Sequence, residues 1–228
     1  MNKLDLAGRF KKRAFSTPTT YSDSLEHFLE DLDLANLRET EVLDFFSGTT
    51  LDIGSGVEGF GRGLSALAKK RGRVVTTISL NPQFADWTRG ADNQKVYKDK
   101  GIRRAMAETD EFTGEYISDH RLALCGVAQF LPLSNASCDK VVSTWAFPGV
   151  FDEFGGSNDD YELGYREILR VLGFGGQALL GPLNPKGESL AVLDSLQPIY
   201  PHHAEFTPWA GEQSSYFNNS QLLTIIKS

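Results

Sequence analysis

The chain has 228 residues, 40% of them hydrophobic and 23% charged, which is the composition of one ordinary globular domain. No apolar run approaches the roughly 20 residues that a membrane helix needs, so we predict a cytoplasmic protein with no membrane partner. The formal net charge of −7 disfavours broad binding to nucleic acid, which depends on clustered Lys and Arg against phosphates, and favours a small-molecule substrate.

Two stretches differ from the rest of this single domain. Residues 1–20 contain several Lys and Arg but no signal-peptide pattern, and we predict a mobile arm. Residues 82–120 are polar and too long for an ordinary connection, so we predict a helical insertion or lid. The two cysteines, Cys125 and Cys138, are expected within or beside buried strands as small hydrophobic residues, and we predict no metal site.

The first half of the chain alternates helix and strand patterns. One helix is predicted to start near Asp23 and a second to cover residues 37–46. A buried strand at 49–53, a glycine-rich turn, an amphipathic helix at 60–71 and a second strand at 74–80 follow. This order is a βαβ unit, which makes a parallel sheet.

The alternation continues to the end of the chain. Strands are predicted at 122–127, 140–143 and 176–183, with a helix at 161–172 that ends at Gly173 or at the glycines 175 and 176. A helix near 188–196, an extended piece around 204–207 and a closing strand at 221–227 complete the pattern. The fold class is therefore α/β, with a doubly wound, mostly parallel sheet and helices on both faces.

The run from Gly54 to Gly59 has the form G-x-G-x-x-G between a strand and a helix. Glycines there allow a tight turn and close backbone approach to a ligand, and the helix N-terminus offers free N–H groups. A nicotinamide dinucleotide site would need an acid about 20 residues later, where this chain has Ser79. A nicotinamide-dependent oxidoreductase therefore remains a third, weaker alternative.

Three segments in order carry a more specific pattern. Leu51–Gly56 reads LDIGSG, Gly126–Leu133 reads GVAQFLPL before SCDKVVS at Ser137–Ser143, and Arg166–Gly176 reads REILRVLGFGG. Together they resemble the class I S-adenosylmethionine-dependent methyltransferases. The resemblance implies a Rossmann-like sheet of seven strands whose last strand is antiparallel, S-adenosylmethionine as the cofactor, and Asp52 at an exposed strand end facing the methionine part.

The resemblance also implies a set of cofactor-binding positions at the ends of the strands. Two of them depart from the family pattern, because Ser79 replaces the acid that holds the ribose hydroxyls and Val127 replaces an Asp that faces adenine. The backbone N–H of Ala128 can still pair with the adenine ring. The implied set is Asp52, Ile53, Gly54, Ser55, Gly56, Ser79, Leu80, Asn81, Val127, Ala128, Gln129, Ser143 and Trp145.

No catalytic residue is predicted, because a sulfonium cofactor is already activated and positioning of the acceptor is enough. Trp145, Phe147 and Phe151 either form an apolar substrate surface or pack in the core. His120, His202 and His203 are either general bases or, as we favour, solvated loop residues.

The leading hypothesis is methyl transfer from S-adenosylmethionine to a small-molecule acceptor. The alternative is a non-catalytic binding or regulatory protein with an eroded cofactor site, which Ser79 and Val127 favour.

Overall fold

A computed structural model describes residues 25–54, 60–80, 121–124, 126–149, 157–183, 188–209 and 220–228. The strands in these ranges are β1 Thr49–Ile53, β2 Thr76–Leu80, β3 Arg121–Leu124, β4 Cys138–Thr144, β5 Leu172–Leu183, β6 His202–Pro208 and β7 Gln221–Lys227. The helices there are α1 Leu25–Asp31, α2 Glu39–Phe45, α3 Phe60–Lys70, α4 Asn158–Val171 and α5 Glu188–Ser195.

The strands of the described ranges form one mixed sheet in the order β3-β2-β1-β4-β5-β7-β6. The first five strands in this order run parallel, and β7 lies antiparallel between β5 and β6. The predicted α/β class is thereby confirmed. The strand order reverses between β1 and β4, and in open parallel sheets ligands bind outside the carboxyl ends of the strands at such a point.

Alternating side chains of the strands enter two separate cores. Leu51 and Ile53 of β1 belong to the core that α4 and α5 cover, together with Val141 and Leu180 of the neighbouring strands. Residues on the opposite face of the sheet, such as Val142 and Leu179, pack with apolar side chains of α1, α2 and α3. Both faces of the sheet are therefore covered, as a parallel sheet requires.

Helix α4 begins earlier and ends differently than the sequence predicts. Its start is a capping box in which Ser157 Oγ accepts a hydrogen bond from Asp160 N and Asp160 Oδ2 accepts one from Ser157 N. The predicted glycine cap at its end is wrong, because Leu172 is extended (φ −63°, ψ 133°) and is already the first residue of β5. Pairing of Leu172 with Cys138 of β4 takes the backbone directly from helix to strand.

Several predictions concern residues outside the described ranges: the arm at 1–20, the insertion at 82–120, the helix start near Asp23, and Cys125. Cys138 lies in β4 and is buried, as predicted. In the described part of the chain, no helix has both the length and the apolar character that crossing a membrane requires.

Gly54 directly follows β1 and needs to be glycine for two reasons. Its φ of +78° is unfavourable for residues with a Cβ, and a Cβ at this position would collide with the Cβ of Ala146. The Gly54 N–H donates a 2.8 Å hydrogen bond to the Leu80 carbonyl, which continues the β1–β2 pairing by one residue. Gly72 is a useful contrast, since its φ is +63° but nothing lies within 4 Å of its Cβ position.

We expect Gly54→Ala to destabilise the protein more than Gly72→Ala. Both variants carry the cost of a left-handed backbone, about 1–2 kcal/mol, whereas Gly54→Ala adds the collision with Ala146, about 1–3 kcal/mol more. Adding Ala146→Gly to Gly54→Ala should remove the added cost. Thermal or denaturant unfolding of the wild type, the two alanine variants and this double variant will measure the differences. Equal destabilisation by the two alanine variants would contradict this account of the turn.

Candidate functional site at the carboxyl edge of the sheet

The described members of the predicted cofactor set lie at the carboxyl ends of four neighbouring strands. Asp52 of β1 is paired in register with Ser79 of β2, and Ile53 is paired with Leu80. The segment that contains Val127 follows β3, which pairs with β2, and Ser143 is near the end of β4, which pairs with β1. Ser55, Gly56 and Asn81 lie outside the described residues.

Asp52 is buried rather than exposed. Its exposed fraction is 1%, and within the described chain its Oδ2 has no hydrogen-bond partner. Burial raises the pKa of this carboxyl from 3.8 to about 8. The predicted exposed strand end is therefore wrong, because β1 lies between β2 and β4 and the beginning of α3 covers this face of the sheet.

Ser79 lies beneath α3 and is fully buried. A Cβ on Gly61 of α3 would stand only 3.1 Å from Ser79 Oγ and 3.1 Å from Thr77 Oγ1. The absence of a side chain at Gly61 thus allows the helix to approach these two hydroxyl groups closely. A carboxylate at this position of β2 would have to be desolvated, which gives a physical reason for a serine there.

The predicted adenine-facing segment is a tight turn. Phe130 N donates a 3.0 Å hydrogen bond to the Val127 carbonyl, which places Ala128 and Gln129 at the centre of the turn. Both central residues are buried, and Gln129 Nε2 donates to the Asp160 carbonyl at 3.4 Å. The turn is therefore anchored to the first turn of α4.

Ser143 fixes the segment that follows β4. Its hydroxyl donates to the Ile53 carbonyl at 3.2 Å and accepts from the Phe147 N–H at 2.9 Å. Phe147 is 1% exposed and packs against Tyr165, with ring centroids 5.1 Å apart. Of the two interpretations of Phe147, core packing is therefore the one that the structure supports.

Trp145 is held at this edge by three contacts. Its backbone N–H donates to the Gly181 carbonyl at 2.8 Å, and its ring packs edge to face against Trp209 with centroids 5.8 Å apart. The backbone of Trp145 is left-handed, with a φ of +57°. Its Nε1 donates to Oδ2 of the buried Asp31 at 3.1 Å. Asp31 thus connects α1 to the site, and no motif in the sequence singled it out.

The late histidines do not belong to this edge. His202 and His203 are in β6, not in the predicted loop, and they pair with Lys227 and Ile226 at the amino edge of the parallel strands. His202 is 6% exposed, and its Nδ1 lies 2.6 Å from the Tyr200 carbonyl, so the prediction of a solvated residue is wrong for it. His120 lies outside the described residues.

Sequence reasoning missed Thr50 and Thr77, and it did not predict that Asp52 and Ser79 beside them are buried. Thr50 and Asp52 alternate along β1, and Thr77 and Ser79 alternate along β2, so all four are on one face of the sheet. The signal was available, because a strand buried on both faces usually carries apolar residues at such positions. An unsatisfied buried polar group costs about 1–3 kcal/mol, which makes these positions energetically important.

We expect the stability of the ligand-free protein to fall as the pH rises from about 4 towards 8. The pKa of Asp52 is raised in the folded state, so between 3.8 and about 8 the unfolded chain loses this proton while the folded chain retains it. This difference favours unfolding by up to about 1.4 kcal/mol per pH unit. Asp52→Asn should remove this part of the slope and should be more stable than the wild type at pH 8.

Chemical denaturation at several pH values will measure this slope. Asp194→Asn is the matched control, because Asp194 is exposed on α5. If the wild type and Asp52→Asn show the same dependence of stability on pH, the raised pKa of a buried Asp52 carboxyl is contradicted.

No family model matches the chain, and no curated protein matches it. Solved structures similar to it include a TehB-like methyltransferase from Corynebacterium glutamicum (17% identity, 99% of this chain and 98% of that one, TM-score 0.48). A second is the N-methyltransferase NodS from Bradyrhizobium japonicum (13% identity, 84% of this chain and 94% of that one, TM-score 0.48). A third is a methyltransferase from Methanosarcina mazei (12% identity, 82% of this chain and 95% of that one, TM-score 0.46). Many of the similar solved structures are S-adenosylmethionine-dependent methyltransferases of the Rossmann-like class I fold, at low sequence identity.

Proposed function

We propose that this chain binds S-adenosylmethionine at the carboxyl edge of the sheet and transfers its methyl group to a small-molecule acceptor. The observation that carries the proposal is the Asp52 carboxyl, buried where the strand order reverses and without a partner for Oδ2 in the described residues. A buried carboxylate requires a cation or several hydrogen-bond donors. The amino group of the cofactor's methionine part is a cation of the required kind.

The other described residues fit this cofactor in part. Gly54 has the left-handed conformation that turns the chain at the end of β1, and its missing side chain lets Ala146 approach the backbone there. The Val127–Phe130 turn brings Val127 and the backbone of Ala128 to this edge, where they are suited to contact a planar base. Ser79 is the poorest fit, because it offers one buried hydroxyl where two ribose hydroxyls need acceptors. We propose that groups other than Ser79 hold the ribose.

The bound cofactor supplies a methyl group on a positively charged sulfur, which needs no further activation. The chain then has to orient the acceptor and exclude water. Trp145 is suited to this task, since its contacts with Asp31, Gly181 and Trp209 fix it beside the end of β4.

The charge of the site supports a small acceptor. None of the described residues in the predicted cofactor set is Lys or Arg, and the chain has a formal net charge of −7. A phosphate-rich acceptor such as nucleic acid would require basic residues near the reacting atoms.

We expect calorimetric titration to detect binding of S-adenosylmethionine and S-adenosylhomocysteine. Truncating one member of a buried charged pair costs about 2–5 kcal/mol, so Asp52→Ala should weaken both ligands by about 30-fold or more. Asp194→Ala, which removes an exposed carboxylate on α5, is the control and should bind as the wild type does.

The possible outcomes separate the candidate functions. Unchanged affinity in a folded Asp52→Ala protein would contradict the proposed role of Asp52. Binding of NADH in place of the methyl donor would favour an oxidoreductase. Absence of binding for all three ligands would contradict the proposed function as a whole.

A further inference from the structure

A layer of polar side chains lies on the face of β1 and β2 that α1, α2 and α3 cover. We use the name hydroxyl layer for Thr50, Asp52, Ser65, Thr77 and Ser79. Thr50 is paired in register with Thr77, and Asp52 with Ser79, so these side chains lie next to each other, about 4.8 Å apart as strand neighbours. The exposed fraction is 0% for the three hydroxyl residues of the strands and 1% for Asp52.

Helix α3 packs closely against the β2 residues of this layer. The Cβ position of Gly61 lies 3.1 Å from the hydroxyl oxygens of both Thr77 and Ser79, so these two oxygens share the space under Gly61. Ser65 comes four residues after Gly61 and thus lies on the same side of the helix, one turn further along. Its Oγ is also buried.

Four oxygen atoms of this layer have no hydrogen-bond partner in the part of the chain that the structure describes. They are Thr50 Oγ1, Asp52 Oδ2, Ser65 Oγ and Thr77 Oγ1. Nearly all buried polar groups in native proteins are paired, and ordered water pairs them where several converge. The same sheet face also has apolar side chains such as Val142 and Leu179, which cannot form hydrogen bonds. Lys140 of β4, which is paired in register with Thr50, donates instead to Gln177 Oε1 at 2.7 Å.

We propose that the hydroxyl layer is a binding site for one or more ordered water molecules, which form hydrogen bonds with Asp52 and the threonine and serine hydroxyls. Water suits these groups because each hydroxyl both donates and accepts, as water does. Ser79 of β2 and Val142 of β4 are paired in register with Asp52, and neither of them is charged. Near neutral pH the protonated Asp52 carboxyl then donates a hydrogen bond to this water and keeps its proton.

The site concerns the ligand-free protein and is independent of the proposed function. Water in the layer hydrates the Asp52 carboxyl and makes its charged form less unfavourable than a dry site would. Replacing the Thr77 hydroxyl with a methyl group removes one partner of the water without a change of side-chain shape. Thr77→Val should therefore destabilise the protein and raise the pKa of Asp52 further.

The experiment compares Thr77→Val and Thr77→Ser, with Thr76→Val as the control. Thr76 is on the same strand but is only partly buried and points to the other face. We expect Thr77→Val to lower the melting temperature by about 2–4 °C and to raise the Asp52 titration midpoint, measured by carboxyl ¹³C NMR and assigned with Asp52→Asn. Thr77→Ser keeps the hydroxyl and should titrate with the wild-type midpoint, and Thr76→Val should also leave the midpoint unchanged.

The titration midpoint decides the result. A dry layer predicts that Thr77→Val melts no lower than the wild type, because an unpaired hydroxyl is then replaced by a group that needs no partner, and that the midpoint does not move. That result would overturn the proposal. If Thr77→Val does not fold, a high-resolution crystal structure of the wild type decides: a water oxygen within hydrogen-bond distance of Asp52 and Thr77 supports the site, and a layer without one overturns it.

Discussion

The burial of the Asp52 carboxyl is the constraint on which the rest of this site depends. β1 lies between β2 and β4, and α3 covers the face of the sheet to which Asp52 belongs, so only 1% of the residue is exposed. A carboxyl in this position is stable only as a neutral acid, hydrated by water, or paired with a cation. Asp52 can therefore hold a proton, form hydrogen bonds with water, or pair with a positively charged group of a ligand.

The surrounding elements keep this position at the edge of the sheet. Gly54 turns the chain away from β1, and a Cβ there would collide with Ala146. Ser143 connects the end of β1 to the segment after β4, and Trp145 extends that connection to Asp31 of α1. The geometry of the edge therefore depends on contacts between segments that are distant in sequence.

The elements with strong local patterns were predictable. β1 and β7 have the bounds that their β-branched and apolar runs predict, and α3 ends one residue before its predicted end. The end of α4 was not predictable from its glycines, because pairing of Leu172 with β4 overrides the local preference for a glycine cap. His202 was assigned to a loop because its pairing with β7 is not encoded in the local sequence.

The place of Asp52 in the fold was predictable, but its environment was not. The motif around Asp52 places the acid at the end of β1, whereas its burial results from tertiary packing on that face of the sheet, where Gly61 lets α3 approach Thr77 and Ser79 of the neighbouring strand. Gly61 lies outside the glycine motif and has no neighbour in sequence that reveals its contact with Thr77 and Ser79. Tertiary contacts of this kind set the pKa of a group, and a single sequence does not contain them explicitly.

The most direct test of the central claim is the number of protons released when S-adenosylhomocysteine binds. Calorimetric titrations in two buffers of different ionisation enthalpy measure this number at pH 7, below the Asp52 pKa of about 8. If the ligand's amino group replaces the proton on Asp52, about one proton is released by the wild type and none by Asp52→Asn. Binding to the wild type without proton release would contradict the claim that Asp52, neutral in the free protein, loses its proton and pairs with the ligand's amino group.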